Sequence, residues 1–153
     1  EENKSRIVES GRYLASLKAK RGESTRLGTF DFLVFTFYCG RTTKGNPWIM
    51  PKTSSKKFRQ KVKEIKIWLY NNKEQKLGKL MYMLNVKLVG HYRYYGISFN
   101  SRMISNYKQQ VRELLYKVLN RRSEKKSYTR EGFIEMMKYY KLVNPKIYYS
   151  LFC

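Results

Sequence analysis

The side chains that could perform covalent chemistry are few in this chain of 153 residues and lie far apart. Phosphoryl transfer with two metals needs carboxylates that hold ions about 4 Å apart, and Asp31, the single aspartate, has no acidic neighbour in its aromatic segment. His91, the single histidine, has no evident nucleophile or orienting acid. Cys39 and Cys153 lie far apart in the sequence, and with a single histidine the chain offers too few Cys and His ligands for a zinc site. We therefore expect no catalytic residue, no metal, no cofactor and no enzymatic activity.

Binding chemistry, in contrast, is abundant. The chain has 33 Lys and Arg against 11 Asp and Glu, a formal net charge of +22. Self-repulsion of this size opposes folding unless a polyanion offsets it, and acidic residues would serve solubility better. The 14 tyrosines, many of them beside Arg or Lys, suit stacking on bases. Composition therefore predicts an RNA partner.

A membrane partner is not expected. No run of about 18 apolar residues is present, and the basic segments lack a Trp- and Leu-rich face for insertion. The widely spaced cysteines and the polar first residues, Glu1 to Lys4, predict a reduced, cytoplasmic setting.

The positive charge is concentrated in one part of the chain. Residues 1–53 have 10 basic and 5 acidic residues, a net of +5, and residues 127–153 have 4 and 2, a net of +2. Residues 54–126 have 19 and 4, a net of +15. The middle segment must therefore form the binding surface.

The first segment favours β structure. The aromatic and β-branched run 29–38 predicts one buried strand, and residues 48–50 a short returning strand closed by Pro51. Residues 5–8 suggest a further strand, and residues 17–28 a basic mobile loop.

Three helices are predicted in residues 54–126, and a fourth short helix follows. The first is capped by Thr53, Ser54 or Ser55, the second spans about 77–95 and ends at Gly96, and the third begins at Ser101. A fourth helix capped by Thr129 would end at Asn144-Pro145, before an extended tail. The predicted core positions of the four helices are Phe58, Val62, Ile65 and Leu69; Leu80, Leu84, Leu88, Tyr92 and Tyr95; Ile104, Val111, Leu115 and Val118; and Phe133, Met136, Met137 and Tyr140.

Cations recur on a second face of the first helix, at offsets of three, seven and ten residues from Lys56. Solvated faces usually mix signs, but Glu64 is the only acid in residues 54–73. In the cluster 90–96, Arg93 and Tyr94 are expected to be exposed, and His91 to be structural or a phosphate donor. The candidate RNA-binding residues are Lys56, Lys57, Arg59, Lys63, Lys66, Arg93, Tyr94, Arg102, Lys108, Arg112, Arg121, Arg122, Lys125 and Lys126.

Several blocks resemble a known family, in order along nearly the whole chain. Residues 29–37, Thr-Phe-Asp-Phe-Leu-Val-Phe-Thr-Phe, resemble the Phe-Asp-Phe-Leu-Gly-Phe block that closes the palm of group II intron reverse transcriptases, with Val34 in place of the glycine. Residues 2–9 resemble the segment before that block. The maturase-specific, or thumb, domain of the same proteins is similar to residues 52–58, 90–96, 119–123, 127–129, 132–133, 145–147 and 150–151.

The resemblance implies a mainly α (α+β) fold: a helical thumb-like bundle of three to four helices with a small N-terminal β appendage. It assigns residues 1–53 to the end of the palm and residues 54–153 to the maturase-specific domain. The implied function is to bind group II intron RNA and assist its splicing, without the Tyr-Ala-Asp-Asp polymerase signature, which this sequence lacks. The alternatives are an accessory subunit of a split reverse transcriptase, which would grip an RNA–DNA template–primer duplex beside a separate palm and fingers polypeptide, and a remnant without function.

Overall fold

Four helices lie in the described part of the chain from residue 55 onwards, and apolar residues three and four apart account for each. They are α1 (Ser55–Asn71), α2 (Leu77–Tyr95), α3 (Ser101–Leu119) and α4 (Arg130–Tyr139). A computed structural model describes residues 14, 17–18, 20–22, 28–122 and 127–151. The chain divides into two compact units, Glu1–Ser54 and Ser55–Cys153.

The core of the helical unit lies on the predicted faces of α2 and α3. Leu80, Leu84, Leu88, Tyr92 and Tyr95 of α2 are all buried. The predicted positions of α3 are buried as well: Ile104, Val111, Leu115 and Val118. These aliphatic side chains remove apolar surface from water, at about 25 cal/mol per Å², and this burial holds the helices together.

The first helix packs on α3 through its apolar side. Ile65 and Leu69 are buried, whereas the predicted core residues Phe58 and Val62 are half-buried. The ring of Phe58 meets that of Tyr107 edge to face, with centroids 6.4 Å apart. α1 therefore keeps a broad face in solvent.

The fourth helix begins as predicted and ends earlier. The Thr129 hydroxyl accepts a hydrogen bond from the Gly132 amide at 3.1 Å, which satisfies a free donor of the first turn. Phe133 is buried, and Met136, Met137 and Tyr140 are half-buried. The predicted end at Asn144 is wrong: the helix ends at Tyr139, because the backbone after it bonds to Asn85 of α2 instead of to itself.

The chain after α4 returns to the end of α2, as the predicted extended tail. The amides of Tyr148 and Tyr149 donate to the Gly96 carbonyl at 2.7 and 3.0 Å. A Cβ at Gly96 would lie 2.6 Å from the Lys146 carbonyl oxygen and 2.2 Å from that of Tyr92. Close approach of the tail therefore requires glycine at this helix stop.

The β unit is an antiparallel sheet of three strands in the order β1 (Phe30–Phe32), β2 (Phe35–Arg41) and β3 (Pro47–Thr53). The single buried strand predicted over 29–38 is wrong. Leu33, with φ at 57°, turns the chain between β1 and β2 and is 81% exposed. The turn contains no Gly, Asn or Pro, so the usual signal of a hairpin is missing.

The returning strand is longer than predicted. β3 is an edge strand of the sheet and runs through Pro51, which pairs with Phe37 of the central strand β2. An edge strand tolerates proline when its missing amide would face outward.

The basic loop predicted over residues 17–28 is corrected at its start, since Leu17, Lys18 and Lys20 are helical and the Arg21 amide donates to the Leu17 carbonyl, and residues 23–27 lie outside the described residues. The strand predicted at residues 5–8 lies outside the described residues.

The observed architecture confirms a mainly α fold with a small N-terminal sheet. Its assignment to palm and maturase parts stays a prediction.

Candidate nucleic-acid interface

The solvent-facing side of α1 presents a row of four cations, here called the α1 stripe: Lys56, Arg59, Lys63 and Lys66. All four are exposed, as their helical spacing predicts. The offset of ten residues from Lys56 to Lys66 corresponds to ~15 Å along a helix that rises 1.5 Å per residue. The stripe is therefore long enough to follow several phosphates of a nucleic-acid backbone.

In the part of the chain that the structure describes, the one acidic residue of α1 pairs with a cation outside the stripe. Glu64 accepts hydrogen bonds from Lys61 Nζ at 2.7 Å and from Gln60 Nε2 at 3.0 Å. The bond from Lys61 holds the pKa of Glu64 below its usual value. Among the described residues, no carboxylate lies within 4 Å of any cation of the stripe. Lys57, a further candidate, is half-buried and donates to Gln60 Oε1 at 3.4 Å.

The candidates on α2 lie in its last turn. Arg93 is exposed and Tyr94 is 62% exposed, whereas Tyr92 and Tyr95 are buried, as predicted. Tyr94 meets Tyr95 edge to face with centroids 4.8 Å apart. One face of the helix therefore belongs to the core, and the other offers a cation and an aromatic ring to solvent.

His91 belongs to the core. Its ring is stacked on Tyr107 of α3, with centroids 3.6 Å apart and planes at 10°, and on Tyr95 at 4.5 Å. Burial, aided by the nearby Lys61 charge, lowers the pKa of His91 to about 4. The imidazole is therefore neutral at pH 7, and its structural role, one of the two predicted, is the one that the packing supports.

The candidates on α3 differ among themselves. Arg102 is exposed, and Arg112 is half-buried beside a shallow cavity of about 330 Å³. Lys108 is half-buried and donates to Asn144 Oδ1 at 2.6 Å. Lys108 therefore already joins α3 to the segment after α4.

The two arginines after α3 both contact the protein. Arg121 donates to the Tyr70 hydroxyl at 2.7 Å, and its guanidinium lies 5.6 Å from that ring's centroid. Arg122 is half-buried and donates to the backbone carbonyls of Lys73 and Gln75, between α1 and α2. Lys125 and Lys126 lie outside the described residues.

A family model covers all four helices. The model of the group II intron maturase-specific domain matches residues 55–140, which are 86 of the 153 residues. The chain belongs to the group II intron maturase-specific domain family. No curated protein and no solved structure matches the chain.

The matched maturase-specific domain contains the α1 stripe, Arg93, Tyr94 and the arginines after α3.

Across the described residues no group of His, Cys, Asp and Glu could hold a metal ion. No helix in the same residues is long and apolar enough to cross a membrane. Asp31 of the β unit accepts a hydrogen bond from the Thr36 hydroxyl of the paired strand.

Two asparagines that fix the maturase-specific domain were missed in the sequence. Asn85 donates to the Lys141 carbonyl at 3.0 Å and accepts from the Val143 amide at 2.9 Å. Asn120 makes the same pair of bonds with Tyr128, at 3.1 and 2.7 Å. Each side-chain amide thus both donates to and accepts from the backbone of a later segment, as a neighbouring strand would, and sequence spacing gives no signal of these bonds. Tyr107 was also missed, although it lies three residues after Ile104 and four before Val111 on the core face.

Proposed function

We propose that this chain binds structured group II intron RNA through the α1 stripe and so helps the intron reach its splicing-competent fold, without catalysing a reaction itself. Membership of the maturase-specific domain family indicates a function related to group II intron maturation. The observation that carries the proposal is the α1 stripe, whose four exposed cations have no carboxylate partner among the described residues.

The stripe suits phosphate contact rather than base readout. Lys and Arg side chains on a convex helix neutralise backbone charge, and contacts of this kind position RNA without reading its sequence. Preference for an intron would then come from the shape of its folded RNA.

The direct test is filter binding of the full chain to a group II intron RNA and to an unrelated RNA duplex of equal length. We expect tighter binding to the intron. Equal affinity for both RNAs would reduce the protein to a general polyanion binder, and failure to bind either would overturn the proposal.

A matched pair of variants locates the surface. Lys63→Gln with Lys66→Gln removes two stripe cations, whereas Lys73→Gln with Lys138→Gln removes two cations that already pair with Glu74 and Glu135. Both variants lose the same charge. We expect the first to weaken intron binding by about tenfold and the second by about twofold or less. Equal losses would mean that only net charge matters.

A second candidate function rests on the β unit. Phe32, Leu33 and Trp48 are 60%, 81% and 40% exposed, and exposed apolar side chains of this size favour a protein partner. We propose as the alternative that residues 1–53 continue the palm of a separate palm and fingers polypeptide and that the helices grip its template–primer duplex. Primer extension by such a polypeptide, with and without this chain, tests it: no stimulation would reject the alternative.

A further inference from the structure

A groove runs along α2 on a face that the core does not use. One wall is formed by Tyr82, Val86, Val89 and Arg93, at successive spacings of four, three and four residues. The opposite wall is the segment 141–144, and the groove, which is open to solvent, has a volume of about 600 Å³. The offset of eleven residues from Tyr82 to Arg93 corresponds to ~16 Å of helix length. This volume lies in the range of about 300–1,000 Å³ of small-ligand sites.

The opposite wall is held in place by side chains of two helices. Asn85 of α2 forms the two bonds to Lys141 and Val143 described above, and the Tyr92 hydroxyl donates to the Val143 carbonyl at 3.2 Å. Lys108 of α3 holds Asn144. A wall fixed in this way has little conformational entropy left to lose when a ligand binds.

The lining combines an exposed aromatic ring with cations. Tyr82 is 71% exposed and Val86 56% exposed, and Arg93 and Lys141 lie at the same groove. No Asp or Glu lines it. An adjoining cavity shares Lys141, Leu142 and Asn144 and adds the cations Lys108 and Arg112, so positive charge continues beyond the groove, whereas Lys138 at the same cavity is paired with Glu135. The surface therefore complements a ligand with a flat apolar part and several negative charges.

We propose that this groove binds a short unpaired segment of RNA, with one base stacked on Tyr82 and backbone phosphates beside Arg93 and Lys141. Stacking on an aromatic ring accepts any base, and it requires that the base is not already paired. The inference rests on the proposed RNA binding and adds to it: the stripe holds phosphates, and the groove distinguishes unpaired nucleotides from duplex.

The test separates the base from its phosphates. Two RNA duplexes carry the same bulge of three nucleotides, and in the second RNA the bulge is abasic, so that backbone charge is identical. We expect the full chain to bind the first RNA about tenfold more tightly, as expected for one base on one aromatic ring. Tyr82→Ala should remove this preference and leave affinity for the abasic RNA unchanged, whereas Tyr82→Trp should keep the preference.

Tyr139→Ala is the matched control, because Tyr139 is another highly exposed tyrosine of the same unit, 81% exposed against 71% for Tyr82, and lies outside the groove. It should keep the preference. Arg93→Gln with Lys141→Gln should weaken binding of both RNAs alike.

The outcomes distinguish the groove from the stripe. If the wild-type chain binds both bulged RNAs equally, or if Tyr82→Ala keeps the preference, the groove inference is wrong and RNA binding by the stripe stands. If neither RNA binds, the proposed function itself fails. If Tyr82→Ala weakens both RNAs equally, the ring does not receive a base, and the inference is overturned.

Discussion

The α1 stripe and the two arginines that follow α3 both consist of basic residues, but these residues make different contacts. The cations of the stripe are exposed and have no carboxylate partner among the described residues. Arg122 instead donates to two carbonyls, 49 and 47 residues earlier in the chain, and Arg121 contacts Tyr70. One set of cations faces solvent, and the other connects the end of α3 to residues 70–75.

The difference shows that a basic residue is informative only together with its partners. The sequence around Arg121 and Arg122 is as basic as the stripe, and both were predicted to bind RNA. The half-buried Arg122 guanidinium already donates to two carbonyls and would have to give up those bonds to reach a phosphate. The number of basic residues near an RNA-binding surface therefore sets only an upper limit on the number of phosphate contacts.

The largest expected effect comes from removing the whole stripe. Changing Lys56, Arg59, Lys63 and Lys66 together to Gln should lower affinity for intron RNA by about 100-fold or more at low salt, because four phosphate contacts are lost. Gln has nearly the helix propensity of Lys and Arg, so the free energy of unfolding should change by no more than about 0.5 kcal/mol. Filter binding and urea unfolding measure the two quantities. Unchanged affinity with an intact fold would place the RNA elsewhere.

Arg122→Met should have the opposite profile. Two carbonyls of the α1–α2 connection lose their donor, so the free energy of unfolding should fall by about 2–3 kcal/mol. RNA affinity of the folded protein should stay within about twofold. Arg102→Met, which removes an exposed cation of α3, is the control and should cost no more than about 0.5 kcal/mol of stability. If Arg122→Met left the free energy of unfolding unchanged and weakened RNA binding, Arg122 would be an RNA contact and not a structural residue.

His91 is a third kind of basic residue in this comparison, because it lies in the core and is uncharged at neutral pH. Its folded pKa of about 4 lies below its usual value of 6.5, so the unfolded chain binds more protons between these values and stability falls as the pH decreases through this window. The loss between pH 7.5 and pH 5 should be about 2 kcal/mol. His91→Phe preserves an aromatic ring between Tyr95 and Tyr107 and should lose this part of the pH dependence. Urea unfolding at several pH values tests it, and identical pH profiles would contradict the assignment.

The smallest expected effect is that of Arg121→Met. Its bond to the Tyr70 hydroxyl and its contact with that ring are exposed, so their loss should lower the free energy of unfolding by about 0.5–1 kcal/mol. Thermal unfolding of this variant beside Arg122→Met ranks the two arginines. A larger loss for Arg121 than for Arg122 would show that burial does not decide their importance.

Much of the helical unit could be predicted from local sequence. Apolar residues three and four apart gave the bounds of α2 and the start of α3, and Thr129 gave the cap of α4. The turn at Leu33 could not be predicted, because nothing in its sequence favours a positive φ.

The candidate site also has features that the sequence predicts and features that it does not. The exposure of the stripe follows from helical spacing alone. The bonds of Arg122 and Asn85 go to backbone carbonyls far along the chain, and any residue type supplies a carbonyl. These contacts arise from tertiary packing and leave no pattern in the sequence.

The salt dependence of RNA binding counts the phosphate contacts that the α1 stripe makes. The logarithm of the intron affinity should fall linearly with the logarithm of the salt concentration, and the slope should become shallower by about 3 when the four stripe cations are replaced, at about 0.7–0.9 per phosphate contact. Arg122→Met should give a line parallel to that of the wild-type chain. A stripe variant whose line stays parallel to wild type would contradict the account.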